Sequence, residues 1–136
     1  MKYYAVMDTN VLVSSMLKKD SIPGRLLDYV LEGEIILLLN NEILNEYKEV
    51  LLRNEFGFEE TDINELIVII REKGIFLDRT RTDEVFSDAD DIVFYEIVLT
   101  GRKTTDAYLV TGNLKHFPVK PFVVTPKEML SIIHGA

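Results

Sequence analysis

The residue pattern predicts an α/β fold: a three-layer sandwich whose central, mainly parallel sheet of about four to five strands is covered by helices. Three observations predict it. Short continuous apolar runs, such as Tyr3 to Met7 and Ile35 to Leu39, have the pattern of strands buried on both faces. Segments with apolar residues at helical spacing separate these runs, and strands alternating with helices imply parallel crossover connections. With 136 residues, 47% of them hydrophobic, the chain has the length and material for one domain core spanning 1–136. No repeat, low-complexity tract or Pro/Gly-rich linker divides it.

The elements follow in order. Tyr3 to Met7 is the first strand, ending at Asp8-Thr9-Asn10, and a short helix covers Val11 to Leu17. Ser21-Ile22-Pro23 starts the next helix, with Pro23 in the first turn where its missing N–H costs nothing. Leu26, Leu27 and Val30 face inward and Gly33 is the stop. After the strand Ile35 to Leu39, a helix runs from about Asn41 to Arg53, with Ile43, Leu44, Tyr47, Val50 and Leu51 at helical spacing. Thr61 or Asp62 is expected to cap a helix striped with Ile63, Leu66, Ile67 and Ile70 and closed by Gly74. Ile75 to Leu77 is a third strand, and Arg79 to Asp90 a polar loop. Asp91 to Thr100 reads as a buried helix, Tyr108 to Val110 as a fourth strand and Phe122 to Val124 as a fifth. Pro126 opens the last helix.

Composition excludes several classes. There are no cysteines, so disulfides, zinc–thiolate sites and cysteine nucleophiles are out together. No apolar run approaches the roughly 20 residues that span a bilayer, and the opening apolar stretch is too short for a signal peptide, which makes the cytoplasm the expected location. The net charge of −8 argues against a whole-surface grip on nucleic acid and suits a basic protein partner. An acidic chain still binds nucleic acid where cations mask the carboxylates of one pocket.

Carboxylates gather where ligands usually bind. Asp8 stands at the carboxyl end of a buried strand, beyond which sites in open parallel sheets lie; it also suits a helix cap. Glu46 lies on the acidic flank of its helix with Glu42 and Glu49, nearest the apolar edge, where it reaches a half-buried pocket or remains a solvated face. Asp88-Ala89-Asp90-Asp91 precedes the apolar helix, with Asp88 as an N-cap. So many carboxylates repel one another, so a positive group is expected nearby: a cation, Arg79 or Arg81. Asn113 ends another strand and offers a neutral oxygen. Arg79, Arg81, Arg102, Lys103 and Lys115 are either a phosphate-binding rim or scattered solubilising charges. The two histidines match no nucleophile motif; His116 is read as an exposed turn residue and His134 as a solvated tail residue.

Taken together, these segments resemble the PIN family of metal-dependent ribonucleases. Asp8-Thr9-Asn10-Val11-Leu12-Val13-Ser14 is similar to the family's amino-terminal signature, and Asn41 to Leu51 to its central acidic helix, which carries the second acid onto Glu46. Asp88-Ala89-Asp90-Asp91 followed by Phe94 resembles the third acidic segment, with Asp91 as the third acid and Asp90 its closest competitor. Tyr108-Leu109-Val110-Thr111-Gly112 resembles the fourth block, but Asn113 stands where the family usually has aspartate. The resemblance spans nearly the whole chain and is greatest to the single-domain toxins of toxin–antitoxin pairs.

What the resemblance implies is an endoribonuclease using Mg2+ or Mn2+, hard ions that prefer oxygen ligands. Asp8 and Asp91 would be direct ligands and Glu46 would orient a water or hold a second ion. Asn113 would be a weaker fourth ligand, with Asn10, Thr111 and Asp90 supporting. A metal-activated water would attack phosphorus in line, leaving a 5′ phosphate and a 3′ hydroxyl. The implied partner is a small basic or DNA-binding antitoxin, and the apolar helices offer a surface for a homodimer. Two other readings compete. Asn113 and the net charge suit a catalytically silent PIN-like module that binds RNA or protein. An aspartate-based phosphotransfer domain also begins with a strand-end aspartate. A phosphatase of that kind wants a second aspartate where this chain has Asn10. A receiver wants an acidic pair at the first strand end, which is missing although Asp78 imitates its central aspartate.

Overall fold

The computed structural model describes residues 1–135. Its strands are β1 (Tyr3–Met7), β2 (Ile35–Leu39), β3 (Ile75–Phe76), β4 (Tyr108–Val110) and β5 (Val123–Val124). The helices are α1 (Thr9–Leu17), α2 (Ile22–Glu32), α3 (Asn41–Leu51), α4 (Glu60–Lys73), α5 (Ile92–Arg102) and α6 (Pro126–Ile133). The strands form one sheet in the order β3-β2-β1-β4-β5, and every neighbouring pair is parallel. Six helices flank it, giving the expected three-layer α/β sandwich.

Strand order explains where a site can form. From β1 the chain winds outward through β2 to β3, then returns to lay β4 and β5 on the other side of β1. The winding direction therefore reverses between β1 and β4. In open parallel sheets the crevice beyond the carboxyl ends of such a pair is the natural ligand site. Asp8 follows β1 there and Thr111 follows β4. The register Met7 opposite Val110 brings the two residues level.

The apolar stripes meet at the sheet. Val6, Leu37, Leu39 and Leu109 are fully buried from the strands, as are Leu12, Leu26, Ile43, Ile63 and Ile97 from the helices. Helix α5 packs on β1, β2 and β4, which is why its sequence is apolar nearly all round. Ser21 caps α2 by accepting from the Gly24 amide, and Gly33 ends it at φ +85°, a conformation open to glycine. Thr125 and Glu128 form a reciprocal capping box at α6.

Several boundaries differ from expectation. Helix α1 begins at Thr9, two residues early, because the Asp8 carbonyl already accepts from the Val11 amide. Helix α3 stops at Leu51, where the chain turns into a short 3-10 segment at Asn54–Phe56. Neither Thr61 nor Asp62 caps α4: the capping position is Glu59, and both lie inside the first turn, where the Asp62 charge complements the positive end of the helix dipole. Leu77 leaves the β3 ladder after one hydrogen bond to Leu39, and Phe122 lies just outside β5. Among the described residues no helix is long and apolar enough to cross a membrane.

Candidate functional site

Asp8 is only 8% exposed, and its side chain makes no capping hydrogen bond to α1. It is committed across the sheet instead. Thr111 Oγ1 donates to Asp8 Oδ2 at 2.8 Å, and the same hydroxyl accepts from the Asn113 amide at 3.0 Å. Burial raises the Asp8 carboxyl above its ordinary value, and the Thr111 hydrogen bond tempers the rise.

Glu46 reaches the same end from α3. Its neighbour Tyr47 is wholly buried, and the phenol donates to the Met7 carbonyl, pinning α3 against the last residue of β1. That anchor aims the adjoining half-buried Glu46, whose Oε2 accepts from the Thr9 hydroxyl. Burial raises the Glu46 pKa first, and the fields of Asp8 and Asp90 add to it. Glu42 and Glu49, its companions on the flank, stay exposed.

The third acid comes from the loop before α5. Asp88 caps a 3-10 turn at Ala89–Asp91, its Oδ1 accepting from the Asp90 amide at 2.9 Å, so it does not cap α5 directly. The turn points Asp91 inward, with its side chain 15% exposed, and leaves Asp90 in solvent. Burial, then the charges of Asp8 and Asp88, push the Asp91 carboxyl up to about 6. Its Oδ2 is buried without a hydrogen bond. The facing group is His116, whose Nδ1 stands 3.4 Å away, an ion-pair separation too long and poorly aimed for a hydrogen bond.

Asn10 and Asn113 line a cleft of about 340 Å3 beside Asp8, with Ser14, Pro23 and Pro126. The structure thus brings Asp8, Glu46, Asp91, Thr111, Asn10 and Asn113 to one end of the sheet. Asp90 influences it only through its field on Glu46.

Of the positive neighbours expected beside the Asp88–Asp91 segment, neither arginine takes that place. Arg79 does not approach the Asp88–Asp91 segment; it binds Glu42 at 3.0 Å and the buried Glu96 at 2.7 Å. Arg81 is exposed in the loop. The group beside Asp91 is His116, which is exposed in its turn, as expected, and has one ring nitrogen facing that acid. Arg102 is not part of a rim either: it donates to the Ala107 carbonyl, ahead of β4, and lies over the Phe122 ring at 4.6 Å. Lys103 follows it at the same remote end, where Asp106 also lies, whereas Lys115 shares the turn of His116. His134 is exposed but bonds the Tyr29 hydroxyl at 3.2 Å.

Sequence reasoning missed Thr9, Glu96 and the orientation of His116. Thr9 is a hydroxyl beside an acid at a strand end. Glu96 is a single acid within an apolar helix, where burial demands a partner. His116 lies three residues after Asn113, and a tight turn puts both on one side. Each signal is visible but points to a contact only once the fold is known.

These acids fit a divalent cation. Three carboxylates with raised pKa values converge without a lysine or arginine among them, and one buried oxygen lacks a hydrogen bond. Among the described residues no group of three or more acid or histidine side chains is arranged to hold a metal ion as it stands. A Mg2+-type ion needs none, since it is held by one or two carboxylates and keeps several waters.

A parallel α/β sheet with acids gathered at its topological switch defines the class of protein by fold and ligand crevice, and comparison with known proteins gives the family. A PIN-domain profile matches residues 4–115, and the chain belongs to the PIN-domain family. It is 30% identical over 146 aligned positions to an uncharacterized protein of Methanocaldococcus jannaschii, covering 95% of this chain and 90% of that one. No solved structure matches. PIN domains are generally nucleases that act on RNA and typically use divalent metals, and membership supports a hydrolase role.

Proposed function

We propose that this chain is a single-domain, Mg2+- or Mn2+-dependent endoribonuclease, the toxin of a toxin–antitoxin pair acting in the cytoplasm. One observation carries the reading. Asp8, held by Thr111, meets Glu46 and the unsatisfied Asp91 at the one place where strand order opens a crevice.

Each residue has a defined task in this reading. Asp8 and Asp91 hold the ion. The Thr111 hydroxyl donates to Asp8 Oδ2 and so fixes the carboxylate in place. Glu46, steadied by Thr9, orients the attacking water and accepts its proton. Asn10, in the cleft wall, donates to a phosphate oxygen of the RNA. When bound, the ion supplies Lewis acidity that lowers the pKa of a water and offsets charge growing on the phosphate. Hydrolysis breaks the P–O3′ bond, giving a 5′ phosphate and a 3′ hydroxyl. A surface of net charge −8 suits a small basic antitoxin.

The test is cleavage of a mixed single-stranded RNA pool with Mg2+ or Mn2+, comparing wild type with Asp8→Asn. Cutting by wild type that is lost in the variant and quenched by chelator supports the reading. A folded, partner-free wild type that cuts with neither ion would turn it to the silent binding module, for which Asn113 in place of an acid is the specific observation.

A further inference from the structure

The cleft beside Asp8 has a lining that hydrolysis itself does not use. Its volume of about 340 Å3 lies near the lower end of the roughly 300–1,000 Å3 of small-molecule sites. Besides Asp8, two prolines (Pro23 and Pro126) and the neutral polar side chains of Asn10, Ser14 and Asn113 line it. Among the described residues no lysine or arginine does, so the cleft is not built for a bare phosphate. Both prolines sit in the first turn of a helix, α2 and α6, where another residue would offer a backbone N–H. The amides of Gly24 and Glu128 in those turns are already bonded to the Ser21 and Thr125 hydroxyls. What the two helix ends present there is hydrocarbon. Apolar walls with neutral polar groups between them suit a flat, uncharged heterocycle.

Gly112, also in the lining, is a second and independent sign. Of the seven glycines it alone has neither a positive φ nor a neighbour that a β-carbon would crowd. Neither backbone conformation nor packing asks for glycine at this position. What its missing side chain does leave is open space in the cleft.

Asn113 sets the polarity of the lining. Its Nδ2 donates to His116 Nε2 at 2.9 Å, which leaves Oδ1 to accept from a ligand. Ser14 stands one turn along α1 from Asn10, on the same side of the helix. We infer that this cleft seats the base of one unpaired nucleotide next to the phosphate that is cut. The prolines lie against the faces of the base, and Asn113 and Ser14 meet its edge, while Asn10 keeps the phosphate. The seat deepens the nuclease reading above and rests on it for the adjoining phosphate. Adenine and cytosine bring an amino N–H to Asn113 Oδ1. Uracil and hypoxanthine place a carbonyl oxygen there instead, so two acceptors face each other and neither is satisfied. The cleft therefore prefers adenine or cytosine.

The experiment is 15N NMR titration of wild type in chelator with adenosine, cytidine, uridine and inosine, neutral probes that the acids do not repel. The expected result is a shift of the Gly112 backbone amide and the Asn113 side-chain amide. Adenosine should bind at least about fivefold tighter than inosine, and cytidine than uridine. Gly112→Leu, which fills the cleft where nothing stands within 4 Å of a β-carbon, should abolish the shifts. In a second arm, a random single-stranded RNA pool is cut with Mg2+ or Mn2+ and the new ends are sequenced. Adenine and cytosine should be enriched at one position beside the cut, and Gly112→Leu should level that enrichment. No shift at the cleft, equal binding of cytidine and uridine, or even ends from an RNA that is cut overturns the inference and leaves the nuclease standing. Selective nucleoside binding without any RNA cleavage supports the seat and counts against the nuclease. The nucleoside arm needs only wild type, so it does not depend on the variant's folding.

Discussion

Replacing Asp91 by asparagine should make the metal-free protein more stable while removing its activity. The folded carboxyl titrates at about 6 against an ordinary 3.8, chiefly through burial and through repulsion from Asp8 and Asp88. The folded state therefore holds its proton more tightly than the unfolded state, and stability falls as pH rises from about 4 to about 6. At about 1.4 kcal/mol per pKa step the unscreened gap would be about 3 kcal/mol at pH 7; solvent screening of this partly exposed carboxyl brings it to about 2 kcal/mol, and roughly half of that at pH 5. Asparagine resembles the protonated acid and escapes this cost, but it gives up the attraction of His116 and must itself be desolvated. A net gain of about 1–2 kcal/mol at pH 7, shrinking toward zero near pH 4, is expected from urea unfolding with chelator present. Saturating Mn2+ should stabilise wild type by mass action and leave the variant unmoved. A variant less stable than wild type at pH 7, or a gain that stays flat between pH 4 and 7, would refute the argument.

Other substitutions probe the supports. Thr111→Val should leave the fold within about 1 kcal/mol of wild type yet weaken Mn2+ binding, since Asp8 loses its fixed geometry; titration calorimetry checks it. Tyr47→Phe deletes a buried hydrogen bond to the Met7 carbonyl and should cost about 1–2 kcal/mol by thermal unfolding, with reduced cleavage because Glu46 loses its aim. Glu96→Ala leaves Arg79 without its buried partner and the Thr82 amide without an acceptor. It should cost about 2–3 kcal/mol in urea unfolding, less than a fully buried pair because the guanidinium is partly in water. Gly24→Ala would set a methyl 2.2 Å from the Lys19 carbonyl oxygen, so the α1–α2 corner must open. A loss above about 2 kcal/mol is the expected result by the same measurement.

Local sequence foretold most of the fold and part of the site, and the difference has a physical cause. Continuous apolar runs and 3.6-residue stripes depend on nearest neighbours along the chain, so β1, β2 and the inward faces of α2, α3 and α4 stand out. Caps depend on where the preceding loop delivers the chain. Thr61 and Asp62 have the right chemistry for one, but the backbone enters α4 two to three residues earlier, at Glu59. Asp88 likewise spends its oxygen on the 3-10 turn. For the site, strand ends marked Asp8 and Thr111, yet nothing in the order of residues says that Glu96 rather than Asp91 captures Arg79, or that His116 turns toward Asp91. Those pairings are set by the packing of α5 and by one short turn, both products of the assembled sheet.

The hydrogen bond between Thr111 and Asp8 spans 103 positions of the chain, which has a bearing on biosynthesis. A ribosome adds about 5–20 residues per second, so for several seconds a growing chain carries Asp8 with no β4 beside it. During that interval the first acid has neither its threonine nor the crevice that strand reversal creates. By dividing the candidate site between the first strand and the fourth, this topology leaves the growing chain without its assembled acids until β4 has been made.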